Sequence, residues 1–341
     1  MDQYVGLDVS LKETSISVRQ ERKRIWRGKC ASNPVAVANA IRTHAPDAAL
    51  VVFETGSLAT WFHRELTAAG LPAVCIDARH AKSALDTAPN KTDTNDADGL
   101  ALLAEAGFFK AVRVKSAASM RIRTLVGARA QLTEISTTLT NQIRGVMKTF
   151  GLVIPAGGGK LFDANVGRLL EDEVELAAIV LPVLAAWRAV RAQLAQLDRQ
   201  LVATARMSPV CQLLMTAPGI GAVTALSYLT AIEQPANFTN SRAVGAFIGL
   251  TTRRYQSGEI DYDGHISKRG DGRLRALLFE AAVQVLTRVK AESGLQRWGV
   301  KLREKVGFKR AAVAVARKLA VVLHAMWRDG RGFDAALGVS I

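Results

Sequence analysis

The order of hydrophobic patterns in the first hundred residues constrains this chain's fold most. Three short segments, Tyr4–Ser10, Thr14–Arg19 and Arg24–Cys30, follow one another as strand candidates. In the second, Ser15, Ser17 and Arg19 alternate with Ile16 and Val18, the period of a half-buried strand. A helix is expected after Pro34, since proline suits a first helical turn. Strand Leu50–Glu54, helix Leu58–Ala69, strand Ala73–Asp77 and a short helix near Arg79–Leu85 come next. Gly70-Leu71-Pro72 ends one helix and starts the following strand. A meander of three strands followed by alternating helices and strands predicts an α/β unit.

Four acids stand at the ends of these segments. Asp8 closes the apolar run Tyr4-Val5-Gly6-Leu7-Asp8-Val9, and Glu54 closes Leu50-Val51-Val52-Phe53-Glu54. Asp93 and Asp96 open a helix-like stretch in Lys91-Thr92-Asp93-Thr94-Asn95-Asp96-Ala97 and, three apart, share a helix face. A carboxylate buried among apolar neighbours is costly unless a cation or a Lys/Arg partner compensates. A chain of net charge +15 has little reason to cluster carboxylates unless they bind a cation. Hard oxygen ligands suit Mg²⁺, and two such ions can clamp the attacking and leaving oxygens of a phosphodiester. The plainer alternative is that Asp8 caps a turn, Glu54 forms a salt bridge, and Asp93 and Asp96 cap a helix. Asp86 and Asp98 are decoys. Asp98 lies two beyond Asp96 and points elsewhere on a helix, yet spacing does not exclude it as the last ligand. The element order matches a ribonuclease H-like sheet; a flavodoxin-like sheet would lack the opening meander.

Beyond residue 110 the character changes. Between Lys110 and Lys160 there are nine Lys/Arg and one acid, Glu134. Met120–Phe150 reads as a long basic amphipathic helix, Pro155–Gly159 as a break, and Val180–Ala205 as a second long helix. The pair suits either a coiled coil forming a dimer contact or a hairpin within one chain. Residues 208–341 form a further unit, closing on the basic stretch Arg288–Arg331 with twelve Lys/Arg against three acids. The domain expectation is thus 1–110, 111–207 and 208–341. With a pI near 10.1, nucleic acid is the expected partner before a membrane surface. No apolar run approaches the roughly 20 residues of a membrane span. The start lacks the pattern of a signal peptide, and Cys30, Cys75 and Cys211 have no metal-ligand spacing. A reduced, cytoplasmic protein is expected.

Two later motifs suit phosphate chemistry. Pro218-Gly219-Ile220-Gly221 precedes an apolar helix, and a Gly-hydrophobic-Gly turn leaves backbone N–H groups able to hold a phosphate, as in a helix-hairpin-helix. An ordinary tight turn would also use these glycines. In Arg253-Arg254-Tyr255-Gln256-Ser257-Gly258, Ser257 sits beside a turn glycine, with Lys268 and Arg269 just downstream. A serine nucleophile needs a base, or a metal and cations, to stabilise the developing charge. A hairpin with a turn serine is the plain reading of this run alone. His265 suits a base or a local hydrogen bond.

Taken in order, Gly6-Leu7-Asp8-Val9-Ser10, Glu54-Thr55-Gly56, Lys91-Thr92-Asp93-Thr94-Asn95-Asp96-Ala97, Pro218-Gly219-Ile220-Gly221, Tyr255-Gln256-Ser257-Gly258 and Ile266-Ser267-Lys268-Arg269-Gly270 resemble the DEDD-type insertion-sequence transposases, the family described as bridge-RNA-guided serine recombinases. The resemblance covers nearly the whole chain. It implies a RuvC-like domain, a helical coiled-coil region and a mostly helical C-terminal transposase domain. By motif, Asp8, Glu54, Asp93 and Asp96 become the Mg²⁺ tetrad and Ser257 the nucleophile joined to cleaved DNA. Ser267, in the same basic region, stays open as the alternative. Gly219, Gly221, Arg253, Arg254, Lys268 and Arg269 are the expected nucleic-acid contacts. The resemblance also implies a non-coding bridge RNA pairing with donor and target DNA, and a homo-oligomer whose active site is shared between protomers. No helix-turn-helix or zinc finger is visible, and RNA pairing would supply the sequence choice instead.

Two rivals remain on the sequence alone. A RuvC-type Holliday-junction endonuclease would use the acids but needs no serine and no extra basic domain. A non-catalytic nucleic-acid binder would leave the acids unexplained.

Overall fold

The computed structural model describes residues 1–85, 93–289 and 292–336, and the chain divides into two compact units, Met1–Ser116 and Ala117–Ile341. In the first, β1 (Gln3–Val9), β2 (Glu13–Gln20) and β3 (Lys23–Ala31) form the expected antiparallel meander. Helix α1 (Pro34–His44) begins on Pro34, with the Asn33 side chain accepting from the Val35 amide at 2.9 Å. Then come β4 (Ala48–Glu54), α2 (Ala59–Ala68), β5 (Ala73–Ile76), α3 (Ala78–Leu85) and α4 (Asp93–Glu105). The sheet order is β3-β2-β1-β4-β5, with β4 parallel to β1 and β5 parallel to β4. Each strand lies within two residues of the ends its alternation predicts.

The two sheet faces are covered differently. Val5, Leu7, Ile16, Val18, Val51 and Phe53 pack with Val37 and Ile41 of α1 and Phe62 and Leu66 of α2. The opposite face brings Val52 and Ile76 against Leu100, Leu103 and Ala104 of α4. Gly6 lies on this second face, opposite Val52. A side chain there would overlap the Ala97 carbonyl oxygen and the Ala101 amide nitrogen. Glycine is therefore required for α4 to lie directly on β1.

In the second unit, α5 (Ala117–Thr149), α6 (Gly159–Leu169) and α7 (Val174–Met207) come first. Trp187 Nε1 donates to Thr140 Oγ1 at 2.9 Å, and Arg129 pairs with Asp198 at 2.7 Å. Positions rising along one helix meet positions falling along the other, so α5 and α7 form an antiparallel hairpin within the chain. Helix α6 was not legible in the sequence. It is held by burial of Phe162 and Val166 in a cluster with Ile143, Met147 and Trp187.

Helices α8 (Pro209–Leu214), α9 (Ala222–Ile232) and α10 (Ala243–Phe247) lead to a hairpin of β6 (Thr252–Ser257) and β7 (Ile260–Ile266). Helices α11 (Gly272–Thr287), α12 (Gly294–Val306) and α13 (Phe308–Asp329) complete the unit. The core lies around α13, whose Ala312, Val315, Leu319 and Leu323 are fully buried. Tyr228 on α9 donates its hydroxyl to the Ala320 carbonyl at 2.7 Å, and burial pushes its pKa well up. His324 is also fully buried. Its Nε2 donates to the Pro235 carbonyl at 3.1 Å, which leaves Nδ1 to accept from Ser241 Oγ at 2.9 Å. Burial pulls the pKa of this imidazole down, in keeping with a neutral core histidine. Among the described residues no helix is long and apolar enough to cross a membrane.

Candidate functional site

The parallel pairing of β1 with β4 sets the geometry of the first group of acids. Gly6 lies opposite Val52 and Leu7 opposite Phe53. One register step further brings Asp8 beside Glu54, at the C-terminal ends of neighbouring strands. By strand alternation both belong to the face of Gly6 and Val52, which α4 covers. Both are half-buried. The hydrogen bonds of α4 fix its direction. Asp98 meets Ser17, which lies opposite Gly6, and Glu105 meets Arg19, which lies opposite Tyr4. The helix therefore runs antiparallel to β1, and its first turn reaches the strand ends that carry Asp8 and Glu54.

Asp93 is the first residue of α4, and its side chain lies outside the described residues. Asp96 is half-buried and begins the helical stripe continued by Leu100 and Leu103, the side that packs toward β4 and β5. Asp98 lies on the other flank. It accepts from Ser17 Oγ at 2.9 Å and pairs with Arg19 at 3.4 Å and Arg24 at 3.6 Å, on β2 and β3. Asp86 lies outside the described residues. Among the described residues, no three or more His, Cys, Asp or Glu side chains are gathered to hold a metal. The structure thus brings Asp8 and Glu54 together, carries the α4 first turn to their edge, and commits Asp98 elsewhere.

Neighbouring groups report on this edge. Burial, with the nearby Glu54 charge added, pushes the Cys75 thiol up to about 11, so it stays a neutral thiol. Asp77 ends up as a cap. It accepts from the Arg79 amide at 2.9 Å and the His80 amide at 3.1 Å, and the bond from His80 leads in holding its carboxyl below the ordinary range.

In the second unit, the glycines at 219 and 221 have separate roles. Gly219 has a left-handed φ of 77°, and a Cβ there would stand 2.8 Å from the Ala281 carbonyl oxygen on α11. Packing alone demands it. Gly221 caps α9 with open space around it.

Ser257 is the last residue of β6, exposed, opposite Ile260 across the turn. Tyr255 lies opposite Tyr262, with the rings stacked at 5.2 Å. Tyr255 and Ser257, two apart on the strand, share a face. Arg254 lies on the other face and pairs with Asp261, with Nε to Oδ1 at 2.8 Å, a solvent-exposed ion pair. The bond from Arg254 pulls the Asp261 carboxyl below its ordinary pKa. Arg253 donates to the Ser267 carbonyl at 3.2 Å. Lys268 and Arg269 are exposed, Lys268 with a left-handed φ of 53°. A cleft of about 1260 Å³ opens between the hairpin and α13. Ser267, half-buried, lines it with His265 and Lys268, whereas Ser257 stands at the hairpin's end. Sequence reasoning missed the α13 side of this cleft. The signal was there: Lys309-Arg310 and Arg317-Lys318 recur two helical turns apart.

Residues 5–151 match the family model of DEDD-type transposases of the IS110 kind, described as a transposase. Residues 211–297 match the transposase IS116/IS110/IS902 family. The chain is 31% identical over 284 residues to a transposase for insertion sequence element IS1111A of Coxiella burnetii, covering 81% of this chain and 77% of that protein. It is 27% identical over 283 residues to a probable family 20 transposase of Pseudomonas aeruginosa, covering 81% and 83%. A pilin gene-inverting protein of Moraxella bovis is 30% identical over 145 residues, 41% of this chain and 44% of that protein.

Proposed function

The chain belongs to the IS116/IS110/IS902 family of transposases, and on that premise we propose that it cuts and rejoins DNA through Ser257, assisted by Mg²⁺ at Asp8, Glu54, Asp93 and Asp96. It is a DNA transposase of an insertion sequence. DEDD-type transposase nuclease domains generally use divalent metals.

The observation that carries the metal part is the shared edge of Asp8 and Glu54, with the α4 first turn delivered to it. A set of carboxylate oxygens suits a hard divalent cation. When bound, such an ion polarises a phosphoryl oxygen and stabilises the charge of the displacement. Asp96 is favoured over Asp98, because Asp98 already serves Ser17, Arg19 and Arg24. The antiparallel meander and the order β3-β2-β1-β4-β5 support a RuvC-like, ribonuclease H-like reading of this unit.

Ser257 is favoured as nucleophile because it stands exposed at the end of a hairpin, open to a second copy of the chain. In the proposed step its hydroxyl oxygen bonds to phosphorus. The phosphodiester bond to the leaving sugar oxygen breaks, and the hydroxyl proton passes to that oxygen. Arg253, Arg254, Lys268 and Arg269 are the neighbouring cations proposed to hold the phosphate. Guidance by a bridge RNA and an active site shared between protomers are carried by the family resemblance.

The test is a denaturing gel of quenched cleavage reactions. Ser257→Ala should abolish the shifted covalent protein–DNA band while leaving DNA binding intact, and Asp8→Asn should abolish cleavage. A band that survives in Ser257→Ala but disappears in Ser267→Ala would move the nucleophile. A cleavage product with no covalent band in the parent would make water the attacking group, as in the endonuclease alternative.

A further inference from the structure

The cleft between the hairpin and α13 has a composition that a solvated face does not explain. Seven of its lining side chains are Lys or Arg and one, Asp263, is acidic. Four of the cations, Lys309, Arg310, Arg317 and Lys318, belong to α13 and return to the same side every seven or eight residues. The α13 lining runs from Lys309 to Val321, roughly 18 Å at the helical rise. Across the cleft, Arg253 and Lys268 face it from the hairpin side. A basic groove alone would suit any polyanion.

The aromatic residues narrow the choice. Tyr255 and Tyr262 are 46% and 56% exposed, yet stacked on each other and lining the same cleft. Trp298 lines it too, with the Lys318 ammonium 5.9 Å from its ring centre. A duplex offers phosphates to a groove but keeps its base faces stacked inside. A single strand offers both, and proteins that hold single strands pair a cationic track with aromatic platforms. We propose that this cleft holds single-stranded DNA, with its phosphates along the α13 cations and a base stacked on the Tyr255–Tyr262 pair. DNA is chosen over RNA because the chain is a DNA transposase. Tyr255 and Ser257 share a strand face about 7 Å apart. A strand stacked on Tyr255 is thereby led toward Ser257. That last clause rests on the serine reading; the occupancy of the cleft does not.

The test is equilibrium binding by fluorescence anisotropy, on the full chain carrying Ser257→Ala and in chelator, so that no cleavage occurs. The probe is an oligothymidylate of about twelve nucleotides, within the footprint of known single-strand modules. A blunt duplex and an oligouridylate of the same length are the comparison arms. Tyr262→Leu keeps an apolar cross-strand partner for Tyr255 and should weaken single-stranded DNA binding roughly five- to a hundredfold. Duplex binding should stay at the parent's level. Arg310→Gln with Arg317→Gln, both exposed, should lower the slope of log affinity against log salt by about 1.4, two phosphate contacts' worth. Parent-like single-strand binding in both variants would overturn the proposal. So would an equal loss on duplex, or a larger loss on the oligouridylate. A missing covalent band in the cleavage assay would sink the serine chemistry and leave this result standing.

Discussion

Replacing Gly6 with alanine should damage both stability and catalysis, because the added methyl group meets helix backbone rather than a side chain that can swing away. The new Cβ would stand 3.0 Å from the Leu100 carbonyl carbon and closer still to the Ala97 oxygen and Ala101 nitrogen. Ordinary contact between carbon atoms begins near about 3.5 Å, so α4 must retreat about half an ångström at Leu100 and roughly an ångström at Ala97. Overpacking of this kind costs about 1–3 kcal/mol, and here it also loosens Leu100 and Leu103 from Val52 and Ile76. The same retreat lifts the first turn of α4 from the edge of Asp8 and Glu54. A misplacement of about 1 Å can cost on the order of a hundredfold in rate. Gly56→Ala is the control, since nothing lies within 4 Å of its Cβ position. Its effect should stay within about 0.5 kcal/mol. Urea unfolding midpoints and DNA cleavage rates are measured for the parent and both variants. A Gly6→Ala protein that unfolds at the parent's midpoint and cleaves at the parent's rate would refute the claim that α4 is seated through this glycine.

Three further outcomes follow from individual contacts. Asp271 caps α11 and pairs with Arg123 at 3.0 Å; burial by itself would raise its pKa, but bonds from the Leu274 amide, Arg123 and the Arg273 amide outweigh it and hold the carboxyl below its ordinary range. Asparagine keeps the cap, so Asp271→Asn should cost about 1 kcal/mol or less at neutral pH, and in urea titrations the gap should close as acid takes the parent below its folded pKa; a gap unchanged by acid would exclude the charge as its cause. Tyr228→Phe should cost about 1–2 kcal/mol in the same assay, because the fully buried Ala320 carbonyl contact loses its donor; an unchanged midpoint would show that this bond contributes nothing net. Chelation should stop strand cleavage and Mg²⁺ should restore it, and cleavage that persists in chelator would remove the metal from the proposed chemistry.

What could be read along the chain was what backbone geometry imposes locally. Alternation of Ser15, Ile16, Ser17 and Val18 marks a strand wherever it lies, because side chains of a strand point to opposite faces in turn. Pro34 marked a helix start and Gly70-Leu71-Pro72 a helix stop for equally local reasons. Asp8 and Glu54 stood out because an acid at the end of an apolar strand requires compensation wherever the strand pairs. Other questions depend on partners distant in sequence. Helix spacing favours Asp96 but does not exclude Asp98, until Ser17, Arg19 and Arg24, far earlier in the chain, take up Asp98. The hairpin of α5 and α7 follows from contacts such as Trp187 to Thr140, since the same heptad-like spacing serves a dimer equally well. Ser257 and Ser267 share a basic neighbourhood in sequence, but strand pairing sets one at the hairpin's end and the other in a cleft walled by α13. Periodicity is a property of each segment and survives in the sequence. The choice of which faces meet belongs to packing between segments, and only the tertiary structure made it.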